Sequence, residues 1–175
     1  VILVLLQNAW FSRRLDDVGE EWSPRWVEVW KFATHQSRTG QRLRLMFGDD
    51  VLHREDVVVD EANRKVAYGS SRGKFPADLG HLKRTLRAVK PDVVLAMGQE
   101  AAKVSRVWPG PLVITPHPAH RLATNRLFLL AAAKCLDAAF KDRVLFRMSE
   151  RPGQDGVFDV IVKPVNGDAA FYERT

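Results

Sequence analysis

The sequence predicts a three-layer α/β/α sandwich on a short, mainly parallel four-stranded sheet, with a C-terminal β-hairpin appended. Three observations predict it. Continuous apolar runs rich in β-branched residues recur along the chain, as strands buried on both faces require. Segments of helical period separate those runs, which implies right-handed crossovers and a sheet covered on both sides. Past residue 141 the pattern changes to two strand-like stretches around the turn-rich "RPGQDG", the signature of a hairpin.

The first run, "VILVLL" (1–6), is a buried strand. A helix follows at "SPRWVEVWKFA", with Ser23 as N-cap and Pro24 as first helical residue. Trp22, Trp26 and Trp30 share one face there, a core stripe rather than a platform for bases. "DVVVD" (56–60) is a second strand. Leu79, Leu82, Leu86 and Val89 then mark a helix that Pro91 closes. "DVVLAMG" (92–98) is the third strand and leads into a helix from Gln99 to Val107. "PLVIT" (111–115) is the fourth, and residues 122–141 form a helix apolar on most faces. The whole makes one domain, core 1–141 and hairpin extension 142–175.

Composition narrows the function. The 175 residues carry 46% hydrophobic and 27% charged side chains, ordinary for a soluble domain. No apolar run reaches the ~18 residues of a membrane span, and "VILVLL" lacks the flanks of a signal peptide. The single Cys135 excludes an internal disulfide and any cysteine-rich metal site, so a cytoplasmic monomer without metal or cofactor is expected. The net charge of +6 favours a polyanion such as a nucleic acid, though many basic proteins bind nothing acidic.

Ligands of parallel sheets bind where the strands end. The loops there are "QNAWFSRR", "DEANRK", "GQE" and "TPHPAHR". A Gln-Asn step closing the first strand, paired with His-Pro-small closing the last, resembles the uracil-DNA glycosylase superfamily, and "KPDVVLAMGQEAAKV" is similar to its third strand and following helix. The resemblance covers residues 1–140. Leu6 to Phe11 occupy the first motif, so Asn8 takes the water-positioning place of the Asn-type branches and Gln7 offers its backbone to the base. His117, Pro118 and Ala119 occupy the His-Pro-Ser motif, and Asn63 is the candidate for the Asn that reads the pyrimidine edge. Leu6 stands for glycine, Ala9 for proline, Ala119 for serine, and Trp10 for the tyrosine that excludes a 5-methyl group.

The resemblance implies a DNA glycosylase. Glycosidic cleavage leaves negative charge on the departing base, and His117 can donate to it if its tautomer is fixed. Asn63 could face a Watson–Crick edge, while Asn8 can orient water but not deprotonate it. His120, Arg121 and Leu122 fall where the family inserts into the duplex, with Arg121 or Leu122 as the wedge. Trp10 and Phe11 offer either a π-face for the flipped base or plain packing. Arg13 and Arg14, with Arg38 and Arg42 of "SRTGQRLR", are suited to gripping phosphates, though that stretch matches no P-loop.

Plainer roles stand beside these. Asn63 reads equally as a turn residue and His117 as a loop histidine held by two prolines, while Asn8 alone reads as a turn cap and only its pairing with His117 favours the catalytic role. The expected activity is removal of a modified pyrimidine to leave an abasic site. The base is a hypermodified, for example glucosylated hydroxymethylated, phage cytosine met in anti-phage defence, or otherwise uracil or a mismatch in base-excision repair. A non-catalytic DNA-binding module of the same fold, or an α/β enzyme acting on nucleotides or nucleosides, are the other readings.

Overall fold

The computed structural model describes residues 1–11, 37–68, 75–140, 144–149, 159–164 and 170–171. Strand β1 (Ile2–Leu6) is buried along its whole length and lies inside the sheet. It pairs in parallel with β3 (Val57–Glu61) from Ile2↔Val57 to Leu6↔Glu61, and with β5 (Val93–Met97) from Ile2↔Val93 to Leu5↔Ala96. Strand β6 (Leu112–Thr115) pairs with β5 from Val94↔Leu112 to Met97↔Thr115. The order is β3-β1-β5-β6, all parallel. A second, two-residue pairing joins β2 (Trp10–Phe11) to β4 (Ala67–Tyr68).

Alternation along the strands sends successive side chains to opposite faces. Ile2, Val4 and Leu6 pack with Val93, Leu95 and Met97 under helices α1 (Arg38–Phe47) and α4 (Asn125–Ala139). Leu3, Leu5, Val94 and Ala96 pack on the other face under α2 (Leu79–Val89) and the one-turn α3 (Gln99–Ala102), which continues as a 3-10 turn, Lys103–Arg106. Three layers result. Leu5, Leu82 and Leu95 are fully buried, so truncating any of them to alanine costs about 2–5 kcal/mol.

The expected strands and three of the expected helices are present with shifted ends. Helix α2 starts at Leu79 because Asp78 caps it, accepting from the His81 N–H at 3.0 Å. It stops at Lys90, left-handed at φ 49°, with Pro91 next. The segment expected to be helical as far as Val107 tightens into the 3-10 turn after Ala102. Helix α4 buries Phe128, Ala131, Ala132 and Cys135 along one stripe and leaves Leu127 and Leu130 exposed, so its apolar character does not mean burial on most faces. Burial pushes the Cys135 thiol up to about 12, far from reactivity.

Helix α1 was not among the expected helices. It carries "SRTGQRLR", read from the sequence as a phosphate grip: Ser37 caps the helix by accepting from Gly40 N–H at 3.0 Å, and Leu43, Met46 and Phe47 enter the core. The tryptophan helix at 23–33 lies outside the described residues. The hairpin is present in β7 (Val144–Ser149) and β8 (Asp159–Pro164), antiparallel, with β9 (Ala170–Phe171) added as a third strand.

Candidate active site

The four parallel strands deliver Gln7, Ala62, Gly98 and Pro116 to one end of the sheet. The loops after β1 and β3 are zipped together there. Ala62 N–H donates to Leu6 O (2.8 Å), Asn63 N–H to Gln7 O (3.0 Å) and Ala67 N–H to Ala9 O (2.9 Å). This sets Asn8 beside the Asn63 loop. The half-buried Asn8 side chain donates from Nδ2 to Ala9 O at 3.1 Å and accepts on Oδ1 from Phe75 N–H at 3.4 Å. Its amide is thereby held in one orientation.

Residues 75–78 strap this end of the sheet, which the sequence did not foretell. Besides the bond to Asn8, Pro76 O accepts from Asn63 Nδ2 (2.6 Å), Ala77 N–H donates to Glu100 Oε2 (2.8 Å) and Asp78 N–H to Ala62 O (2.8 Å). Lys103, at 2.6 Å, and the Ala77 N–H hold the Glu100 carboxyl below its ordinary range. Three loops are therefore fixed to one another through four residues.

Asn63 also accepts on Oδ1 from Lys65 N–H at 2.9 Å. Its acceptor and one amide hydrogen both serve loop backbone, which is the turn role. The same pattern, one amide hydrogen and the acceptor spent on loop backbone, holds Asn8, so these bonds fix the orientation of both amides.

His117 follows β6, half-buried, and its ring lies against the end of β5. A Cβ on Gly98 would stand 3.3 Å from His117 Cβ and 3.5 Å from Cδ2. Gly98 has φ 106° and ψ 169°, a region closed to other residues, so both backbone and space demand glycine. This residue was missed in the sequence; its only signal was a glycine between a buried strand and a helix. The Ala119 N–H donates to His117 Nδ1 at 3.1 Å. Nδ1 is therefore an acceptor, and in the neutral ring the proton sits on Nε2. His117 carries the fixed tautomer that donation from Nε2 requires.

Only β5 separates the loops bearing Asn8 and His117, in the order β3-β1-β5-β6. Two strand spacings, about 10 Å, separate the ends of those strands.

Arg42 corrects the sequence reading. Expected to grip phosphate, it is only 7% exposed. Its guanidinium donates to Pro118 O, to His120 O (3.0 Å) and to Ala123 O, and stacks 4.5 Å from the Phe128 ring centroid. Burial, and then the charge of Arg38, draw its pKa below the usual guanidinium value. Arg38, one turn earlier, is exposed. His120, Arg121 and Leu122 are exposed on the loop that Arg42 holds, Leu122 most of all at 86%. Arg13 and Arg14 lie outside the described residues, as do the side chains of Trp10 and Phe11, whose backbone forms β2.

Beneath the loops lie two adjacent carboxyls of opposite character. Burial pushes Asp60 up. The nearby His81 (Nε2 at 3.0 Å, off the hydrogen-bonding angle), the Thr85 hydroxyl (2.7 Å) and the Glu61 N–H (2.8 Å) outweigh it and hold Asp60 below its ordinary range. Glu61 faces the other side, 3% exposed, with Oε2 lacking a hydrogen-bond partner. Burial, reinforced by the Asp60 charge, pushes it well above the ordinary carboxyl range.

Among the described residues no three His, Cys, Asp or Glu side chains gather as metal ligands, and no helix is long and apolar enough to cross a membrane. No curated protein matches the chain. A family model, that of the uracil DNA glycosylase superfamily, matches residues 19–142, a span that includes Gly98 and the His117 loop and begins beyond the Gln7–Asn8 step. Well over half the chain is covered, the sheet has the α/β form the resemblance implied, and the chain belongs to the uracil DNA glycosylase superfamily.

Proposed function

We propose that the protein is a monofunctional DNA glycosylase that flips a modified pyrimidine out of DNA and hydrolyses its N-glycosidic bond. The observation that carries this is His117, its Nδ1 occupied by the Ala119 N–H and its ring seated on Gly98, across one strand from the oriented amide of Asn8. As the C1′–N bond breaks, the base leaves with the bonding electrons, and Nε2–H donates to the developing anion. Asn8 orients the water whose oxygen bonds to C1′ and whose proton passes to solvent. No lysine stands at either motif, so no Schiff base forms and the strand is not cut.

Exposed Leu122 and Arg121 fill the vacated stack, and Arg38, with Arg13 and Arg14, contacts phosphates. The protein acts on DNA as a cytoplasmic monomer without a cofactor. Of the four departures from the first and last motifs, Leu6 and Ala9 are buried in the core, so Trp10 and Ala119 are the ones that set the choice of base. Trp10 in place of a methyl-excluding tyrosine favours a 5-substituted pyrimidine, including the glucosylated hydroxymethylcytosine of phage DNA, and a role in defence follows.

The test is mass spectrometry of free base released from DNAs carrying uracil, mismatched thymine, and hydroxymethylated or glucosylated pyrimidines. Release of a 5-substituted base is the expected result. Release of uracil alone would return the protein to ordinary repair. Binding without release would make it a non-catalytic module, and turnover of free nucleosides a nucleoside enzyme.

A further inference from the structure

The chain between β6 and α4 carries both His117 and the exposed residues 120–122, yet it has no regular structure of its own. Two backbone bonds brace it internally, His120 N–H to His117 O (2.8 Å) and Ala123 N–H to His120 O (3.3 Å). The Thr115 hydroxyl holds the Pro116 carbonyl at 3.1 Å, and one side chain on a different element holds three more. Arg42 donates to Pro118 O, His120 O and Ala123 O, so three carbonyls across six residues converge on one guanidinium.

Among the described residues, no carboxylate is a partner of this buried cation. Its positive charge is met by carbonyl dipoles and by the face of Phe128, itself fully buried on α4. A buried charge without a counter-ion is a poor device for stability alone, since an apolar side chain would fill the same space without a desolvation cost. A planar fork of donors does something an apolar side chain cannot. It fixes the directions of several carbonyls at once, and with them the path of the backbone. Pro118 sits between His117 and Ala119, the two residues whose Nδ1···H–N bond sets the imidazole tautomer.

We propose that Arg42 is the positioning residue of the His117 loop: it holds the backbone that seats the imidazole on Gly98 and keeps Nδ1 on the Ala119 N–H. The consequence for catalysis rests on the reading of His117 as donor to the leaving base. The consequence for the imidazole does not.

Arg42→Lys supplies a single point donor in place of the fork. Arg42→Met keeps most of the volume and avoids the desolvation cost of a buried ammonium that the lysine variant carries. Both are compared with wild type by thermal melting, by ¹⁵N NMR of the His117 imidazole, and by single-turnover base release at saturating enzyme. Whichever variants fold should lose the signature of a single Nε2–H tautomer and show averaged nitrogens. Their base release should fall on the order of 100-fold, the usual cost of misplacing a catalytic group by about an ångström.

A merely structural Arg42 would lower the melting temperature and leave both the His117 spectrum and the rate of the folded protein unchanged; that result overturns the proposal. If wild type releases no base from any DNA, the glycosylase reading fails. The tautomer signature in Arg42→Met then still decides whether Arg42 positions the loop.

Discussion

Gly98→Ala tests the seat of His117 with a single methyl group. At φ 106° and ψ 169° the backbone lies where an L side chain is strained by about 1–3 kcal/mol. In a domain of this size that lowers the melting temperature by roughly 2–12 °C. The added Cβ also stands 3.3 Å from His117 Cβ and 3.6 Å from its Cα, inside the usual ~3.5–4.0 Å carbon contact. His117 must retreat by a few tenths of an ångström, worth on the order of ten-fold in rate. Gly48→Ala is the control, because Gly48 has the same backbone conformation, φ 104° and ψ 167°, at the end of α1. Melting curves and single-turnover base release on the preferred substrate separate the two effects. Both variants should melt lower, and only Gly98→Ala should lose rate in the folded protein. An alanine variant that melts like wild type would refute the strain argument, and equal rates in both variants would refute the seat.

Other substitutions separate structure from chemistry in the same way. Asn63→Ala removes two bonds to loop backbone and should cost about 1–3 kcal/mol while changing base release only a few-fold; a 100-fold loss at unchanged stability would place Asn63 at the base edge. The Glu61 carboxyl is raised by folding, so wild-type stability is greatest below the ordinary value of 4.5 and falls as pH rises above it, by about 1.4 kcal/mol for each unit separating the folded and unfolded values. Glu61→Gln should abolish that fall in urea unfolding from pH 4 to 8, and parallel curves for the two proteins would contradict it. Leu122→Ala, at an 86% exposed position, should leave stability within about 0.5 kcal/mol. It should slow release from duplex but not from single-stranded DNA, and an equal effect on both would remove Leu122 as the wedge.

What the sequence revealed follows from where the information lies. The two central strands were legible because a strand covered on both faces must be apolar throughout, as Ile2–Leu6 and Val93–Met97 are, and the half-buried edge strands as short β-branched runs. Helix α1 was not, because Arg42 takes a core position that periodicity assigns to an apolar residue, and Gly40 sits in its first turn. The pairing of Trp10–Phe11 with Ala67–Tyr68 is too short to leave a pattern. At the site, Asn8 and His117 stood out as polar residues ending buried strands. Gly98 and Arg42 did not, since each acts on a loop 19 or more residues away in sequence and acquires its role only when the sheet is assembled. Asn63 is ambiguous for the converse reason: an Asn after a strand is used by turns as readily as by ligands.

The most direct test is single-turnover base release by wild type, His117→Ala and Asn8→Ala, with binding to the same DNA measured alongside. If His117 donates to the departing base, its removal costs about 10²–10³-fold in rate with binding retained, and Asn8→Ala also slows the step without weakening binding. Wild-type rates in both variants would place the chemistry elsewhere and leave Asn8 and His117 as loop architecture.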